Sequence, residues 1–502
     1  MRKNSVIFCR QKSRRGRIRM NKPDSLRRTH PFSIFLYLYR FLFLLMIPLL
    51  RSFFSALNGG LAQWFAGAWI DVLLVLFLFL ISTLKWMNFK YNMDSNEFHL
   101  TYGILIRHKL RIPMHRISTL SALSSVWLRP LRITKIRIDT AARGIKKADF
   151  SFYVRQSEAY RILELRSEPL QNQNGVPNEY RPGIWSIVLL SLFTSNTFPG
   201  IVMVSTFVSQ AGKLLGEELS VLLRHTFEET ARKIAFGLPP IAAAAALFLF
   251  IGWFVAFLVN LLQTKDLLTT RTTHTLRVSG GILMRKRYSL RLSEISFVDL
   301  RQSLLTRLLR LYSVYLNAIG FGKEQADIAA IVPFSRKTRV LSHLSLLLPE
   351  FVPSDRTLRP GRGAFLKFLL WPAVYCALIP VSAAFAMRLF PLWAEVIRFV
   401  AFMAAAPAVW YFGVCMLDFV SSGLSKEENY YTIRYSSGFY LHTVVVSWQK
   451  ITVIDLRQSI FQRRSKKCDV SVLTRAEGRT HHKLRAFYLE ECLSLFGLGD
   501  ND

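Results

Sequence analysis

Two apolar patterns take turns along the 502-residue chain: long unbroken runs, and short stretches in which apolar and polar residues alternate. Six runs approach or exceed the roughly 20 residues a helix needs to cross a bilayer. They fall into pairs: Phe32–Leu50 and Trp64–Leu84, Ile184–Val208 and Ile234–Leu262, Phe365–Phe390 and Trp393–Val420. One such run could be a buried helix of a soluble core. Six with aromatic residues near their ends (Trp64, Trp86, Trp185, Trp253, Trp371, Trp393) read as spans with interfacial anchors. The expectation is six transmembrane helices in three hairpins.

After each second run the period drops to two. Phe98–Ser118, Thr275–Ser296 and Tyr431–Thr452 each alternate, turn at Gly103, Gly281 or Gly438, and alternate again, as β-hairpins do. The next block is more specific. Ile295–Ser303 and Ile451–Ser459 share the stretch Asp-Leu-Arg-Gln-Ser, carried by Asp299, Arg301, Gln302 and Ser303 and by Asp455, Arg457, Gln458 and Ser459. Ile117–Ser125 keeps the spacing and loses Arg-Gln. Further strands are expected at 133–138, 311–316 and 470–472 and at 150–154, 331–334 and 484–487, with closing helices at 158–166, 336–348 and 488–495. His30-Pro31, Arg181-Pro182 and Arg359-Pro360 open the units, since proline suits the first turn of a helix. The chain thus reads as a basic N-terminus (1–30) and three repeats of hairpin plus polar domain: 31–86 with 87–180, 181–263 with 264–358, and 359–422 with 423–502.

Charge then sets the topology. The chain carries 66 Lys+Arg against 32 Asp+Glu, a net +34. Residues 1–30 hold eleven basic residues and one acid, Asp24, and the regions after the second and fourth runs are also basic. Lys and Arg near spans stay on the cytoplasmic side, so both termini and all three polar domains are expected there. The long basic N-terminus with no small-residue cleavage site is not a secretory signal. With 39 Phe and 51% hydrophobic residues, a disordered basic protein is excluded. Arg107, Lys109 and Arg111, and Arg285, Lys286 and Arg287, follow two of the hairpin glycines and are candidate contacts for anionic lipid, at roughly 1 kcal/mol per basic residue near a surface. His442, Thr443 and Val444 replace that cluster in the third repeat. The charge is spread over three domains without aromatic interleaving, so nucleic acid is not an expected partner.

Catalytic chemistry has no visible carrier. There is no phosphate loop, nucleophile elbow or zinc-protease helix motif. The five cysteines show no paired spacing, and Cys376 and Cys415 fall inside spans as small apolar residues. The pair His481-His482 reads as solvated surface rather than metal ligands. Arg40 and Asp71, inside the first two runs, read as snorkelling charges. The amphipathic stretch 209–233 suits a helix at the outer interface or against a partner. No catalytic residue, cofactor or metal is expected.

The hairpin, the Arg-Gln-Ser element and the closing helix together resemble the bacterial pleckstrin-homology domain bPH2, and three copies with paired spans look like YdbT-like membrane proteins, often encoded beside a smaller one-copy YdbS-like partner. The resemblance implies an α+β membrane protein in which each of three hairpins is followed by a small PH-like β-barrel with a C-terminal helix. It implies no enzymatic activity. The expected function is a membrane scaffold whose PH-like domains assemble with each other, a smaller one-copy partner or anionic inner-leaflet lipid, for envelope maintenance or resistance to membrane-active compounds. A transporter or lipid-moving protein with its path between the hairpins is the alternative. It is disfavoured because Pro48, Pro239-Pro240, Pro372 and Pro380 do not break corresponding positions.

Overall fold

The computed structural model describes residues 26–39, 41, 73–94, 96–140, 150–165, 178–194, 240–321, 330–476 and 478–497. The chain divides into two compact units, 1–114 and 115–502. The first holds a four-stranded antiparallel sheet of β1 (Arg27–Arg28), β2 (Lys90–Met93), β3 (Glu97–Tyr102) and β4 (His108–Pro113), in that order. Tyr91, Met93, Phe98 and Leu100 are its buried hydrophobic residues. Gly103 ends β3 at φ 113, where a Cβ would lie 1.9 Å from the Ile106 carbonyl, so only glycine makes this turn.

The second unit holds three antiparallel sheets. The largest joins β5 (Ile117–Ser125), β6 (Ile133–Thr140) and β7 (Phe150–Arg155) to β8 (Asn178–Tyr180), β9 (Leu268–Arg271), β10 (Thr275–Gly280) and β11 (Met284–Arg291), in the order β7-β6-β5-β11-β10-β9-β8. The next joins β12 (Ile295–Ser303), β13 (Leu311–Ala318) and β14 (Val332–Arg336) to β15 (Gly423–Glu427), β16 (Tyr430–Ser437) and β17 (Tyr440–Ser447), in the order β14-β13-β12-β17-β16-β15. The last is β18 (Ile451–Arg457), β19 (Lys467–Ala476) and β20 (Gly478–Tyr488).

Hydrogen-bonded ladders and hydrophobic cores follow different rules here. One core draws Leu276, Val278, Tyr288 and Leu290 from β10 and β11, Val298, Leu300, Val314 and Leu316 from β12 and β13, and Val340, Leu344 and Leu347 from the helix Lys337–Leu347. A second draws Tyr431, Ile433, Val444 and Val446 from β16 and β17, Val470, Val472 and Leu484 from β19 and β20, and Cys492 and Phe496 from the helix Leu489–Phe496. Each core therefore closes almost within one sequence stretch. The ladders instead cross between stretches: β5 pairs β11 from Thr119↔Leu290 to Ser125↔Met284, and β12 pairs β17 from Phe297↔Val446 to Ser303↔Tyr440. Strand β12 is buried on both faces, with Phe297 in one core and Val298 in the other.

The expectation of an α+β protein with six transmembrane helices is corrected. The described residues are mostly β-sheet, and two of their helices are long and apolar enough to cross a membrane, Phe365–Leu389 and Val396–Ser421. Both are mostly exposed, unlike core helices of a soluble protein. Shorter apolar stretches of helix are Leu73–Asn88, Ile184–Thr194 and Phe248–Thr264, the last of them within the 25-residue helix Pro240–Thr264. Residues 42–72, with Asp71, and 195–239, with the stretch 209–233, lie outside the described residues, as does Arg40. The two long helices turn back on each other through Pro391–Trp393.

Candidate functional site

The Asp-Leu-Arg-Gln-Ser segment ends β12 and opens a short helix, Leu304–Leu308. Alternation sends its side chains two ways. Gln302 is buried on one face, where its Nε2 donates to the Leu311 carbonyl at 2.8 Å and its Oε1 accepts from Arg307 at 3.1 Å. Ser303 caps the helix in a reciprocal box with Thr306. On the other face Asp299 Oδ2 meets His442 Nδ1 of β17 at 2.8 Å and accepts from Arg301 Nη2 at 3.1 Å. The Asp299 side chain is 5% exposed. Burial alone would raise its carboxyl, but His442 and Arg301 outweigh it and hold it below the usual carboxylate range. The Arg301 guanidinium lies 4.2 Å from the Tyr315 ring centre.

The network continues inward. Tyr435 stacks on His442 at 5.2 Å and its hydroxyl bonds His482 Nδ1 at 2.9 Å. His482 Nε2 reaches Thr474 at 3.0 Å. Burial pushes His482 down to about 4, so it is neutral at pH 7. The expected solvated pair is thus half wrong: His481 is exposed and His482 is fully buried. Among the described residues no cluster of His, Cys, Asp or Glu could hold a metal.

The matching segment of β18 repeats the local half of this arrangement. Gln458 Nε2 donates to the Lys467 carbonyl at 2.9 Å, and Ser459 forms the same box with Gln462. Asp455 pairs with Arg457 at 2.7 Å, but their side chains are 37% and 79% exposed. In β5, Ser125 precedes a helical turn without a side-chain cap bond.

Beside Gln302 opens a basic cleft of about 270 Å³. Arg307, Lys337, Arg356 and Arg434 line it against a single acid, Asp355, and Val420 and Ser421 at the foot of the last helix form one wall. Arg356 donates to the Val420 carbonyl at 2.6 Å. Arg434 Nη1 is buried without a hydrogen-bond partner. Burial and neighbouring guanidiniums lower the pKa of both arginines. Sequence reasoning missed this cleft because its cations come from four separate segments.

Of the basic residues singled out beforehand, Arg107, Lys109 and Arg111 are exposed on and before β4. In β11, Arg285 is exposed, Lys286 is buried, and Arg287 stacks over Tyr160 at 4.3 Å.

The sheets, the closing helices and the repeated segment can be compared with known families. Residues 42–169 and 231–347 match the family model described as Bacterial PH domain. Those two segments, just under half of the chain, are similar to the bacterial PH domain. The chain is also similar to the UPF0699 transmembrane protein YdbT of Bacillus subtilis (strain 168), 21% identical over 377 residues, which covers 70% of this chain and 74% of that protein. The last stretch, 423–502, lies outside the family match. No solved structure matches. Two long exposed apolar helices and the similarity to a transmembrane protein support association with a membrane.

Proposed function

We propose that the chain is three tandem PH-like units forming a non-enzymatic membrane scaffold. The observation that carries this reading is the pair of seams, β5 with β11 and β12 with β17, which lock successive stretches by backbone hydrogen bonds while each keeps its own core. A continuous ladder resists shear between domains better than a side-chain contact would. In this reading the helical pair at 365–421 returns the chain to the side it left, and the basic flanks favour the cytoplasm for that side. Envelope maintenance or resistance to membrane-active compounds suits such a frame. Partners in this reading are membrane lipid and other PH-domain chains, either a smaller one-copy membrane protein or this chain itself. The test is to co-express residues 1–171 and 172–502 as separate pieces. They should co-purify from mild detergent, and Ala122→Pro in the middle of β5 should separate them. Failure of the unaltered pieces to associate would remove the seam as the basis of the scaffold.

A second element of function rests on the basic cleft. Four cations facing one acid beside the foot of a span suit an anionic lipid headgroup, since guanidinium groups match phosphate geometry. Phosphatidylglycerol in nanodiscs should raise the melting temperature over phosphatidylcholine alone, and Arg356→Gln with Arg434→Gln should remove that gain.

A further inference from the structure

The two seams obey one rule, and the rule leaves two strands over. Strands β4, β11 and β17 each close a hairpin and run into a three-residue helical turn, Met114–Arg116, Leu292–Glu294 or Trp448–Lys450. Strands β5, β12 and β18 each leave such a turn. At each seam a strand that leaves a turn pairs antiparallel with the hairpin strand of the next stretch: β5 with β11, and β12 with β17. Among the described residues, the two strands of these kinds without such a partner stand at sheet edges, β4 in the first sheet and β18 in the last.

Their residues match the formed β12–β17 seam in register. The hairpin pairs Tyr102↔His108, Gly280↔Lys286 and Tyr435↔His442 occupy corresponding places. His108 therefore stands where His442 stands. It also stacks the same way: Tyr102 and His108 lie 5.0 Å apart at 23°, against 5.2 Å and 16° for Tyr435 and His442. On the other edge, Asp455 is the fifth residue of β18 as Asp299 is the fifth of β12. The formed seam that lacks the acid, with Ser121 in that place, also lacks the histidine and has Lys286 instead. Aspartate and histidine thus come and go together, and the two leftover edges hold one each.

Exposure points the same way. Strands β5 and β12 are buried along most of their length, whereas Val453 of β18 is 48% exposed and Asp455 has seven times the side-chain exposure of Asp299. Strand β4 is exposed at His108, Lys109 and Arg111. An open edge with an apolar residue on it is a site for another strand.

We infer that copies of this chain join head to tail, the β18 edge of one molecule pairing with the β4 edge of the next. The register of the formed seam places Arg457 opposite His108, Asp455 opposite Leu110 and Val453 opposite Ile112, with Asp455 on one chain bonded to His108 on the other. Such a contact is heterologous, so it builds a ring if the rotation closes and a row if it does not. The inference extends the scaffold reading, and the split-chain test above probes the seams within a chain while the test below probes only the contact between chains.

The test co-expresses two differently tagged full-length chains, one Val453→Cys and the other Ile112→Cys, and oxidises native membranes. A disulfide-linked heterodimer should form well above the level given by either variant alone. Replacing Ile112→Cys by Leu110→Cys, two residues out of register, should cut the yield several-fold. Adding Asp455→Arg should cut it about tenfold, and His108→Glu on the partner chain should restore it. Membrane levels of each chain, measured alongside, show that the variants fold. No heterodimer above the single-variant background, or a yield indifferent to register and to Asp455→Arg, would overturn the inference.

Discussion

The same five residues, Asp-Leu-Arg-Gln-Ser, end β12 and run on from β18, and they sit in different surroundings. At both, the glutamine amide donates to a carbonyl nine residues on and the serine caps a five-residue helix. At β12 the aspartate is buried against His442 and Arg301 of a completed seam, while at β18 it faces solvent with Arg457. The motif thus does two separable jobs. Gln and Ser shape the exit from the strand, which any copy needs. Asp and Arg act only where a neighbouring strand covers them. A repeated motif need not carry a repeated environment.

The sharpest way to break this comparison is at the aspartates. Asp299→Ala leaves Arg301 and His442 without their shared acceptor in a buried seam, and removing one partner of a buried pair costs about 3–5 kcal/mol. Asp455→Ala removes an exposed pair, worth about 0–1 kcal/mol. Melting curves of the detergent-purified variants should differ accordingly. Equal losses at the two sites would mean that seam burial does not distinguish them.

Next in size is a pH effect confined to the covered side. His482 is held at about 4, so the unfolded chain binds its proton near pH 6.5 and the folded chain does not. Stability from this group is complete above about pH 6.5 and declines as pH falls toward 4, by roughly 3 kcal/mol in all. Asp299 acts in a lower window: its depressed carboxyl stabilises above the unfolded value and loses that contribution as pH falls through the folded one. In His482→Gln, melting temperature should become nearly flat between pH 6.5 and 4.5. An unchanged slope there would assign the acid sensitivity to another group.

What was legible in the sequence follows from range. The hairpin glycines, the strands at 133–140 and 311–318 and the closing helix at 337–347 rest on local period and turn chemistry, and the alternating runs mark them directly. His482 sits two residues from Leu484 on the inner face of β20, ahead of the expected strand 484–487, so local alternation does not mark its burial. The seams could not be read, since Leu120 and Ser289 are brought together by packing and not by any local pattern. Of the six expected spans, two are long apolar helices among the described residues, Phe365–Leu389 and Val396–Ser421.

The two glutamines give the next, smaller effect. Each is bonded to a carbonyl of the following strand, Leu311 or Lys467, so Gln302→Ala and Gln458→Ala each orphan one backbone acceptor at a cost of about 1–3 kcal/mol. The losses should be of similar size in melting curves, in contrast with the aspartates. A loss at Gln302 alone would mean that this contact also depends on the seam.

The smallest effect is the most diagnostic of the local job. Ser303 and Ser459 each accept from the third residue of the helix they open, Thr306 or Gln462, and each of those side chains accepts in turn from the cap backbone. Removing a serine cap costs about 1 kcal/mol. Ser303→Ala and Ser459→Ala should therefore lower stability by closely similar amounts, because the box is built from four consecutive residues and owes nothing to the neighbouring strand. Ser303→Asp, which can still cap, should recover most of the loss. Ser125 tests the same point from the other side: it occupies the matching place but makes no cap bond, so Ser125→Ala should change stability by less than about 0.5 kcal/mol. A larger loss at Ser125 than at Ser459 would show that this position matters through the β5–β11 seam, where Ser125 lies opposite Met284, rather than through helix capping.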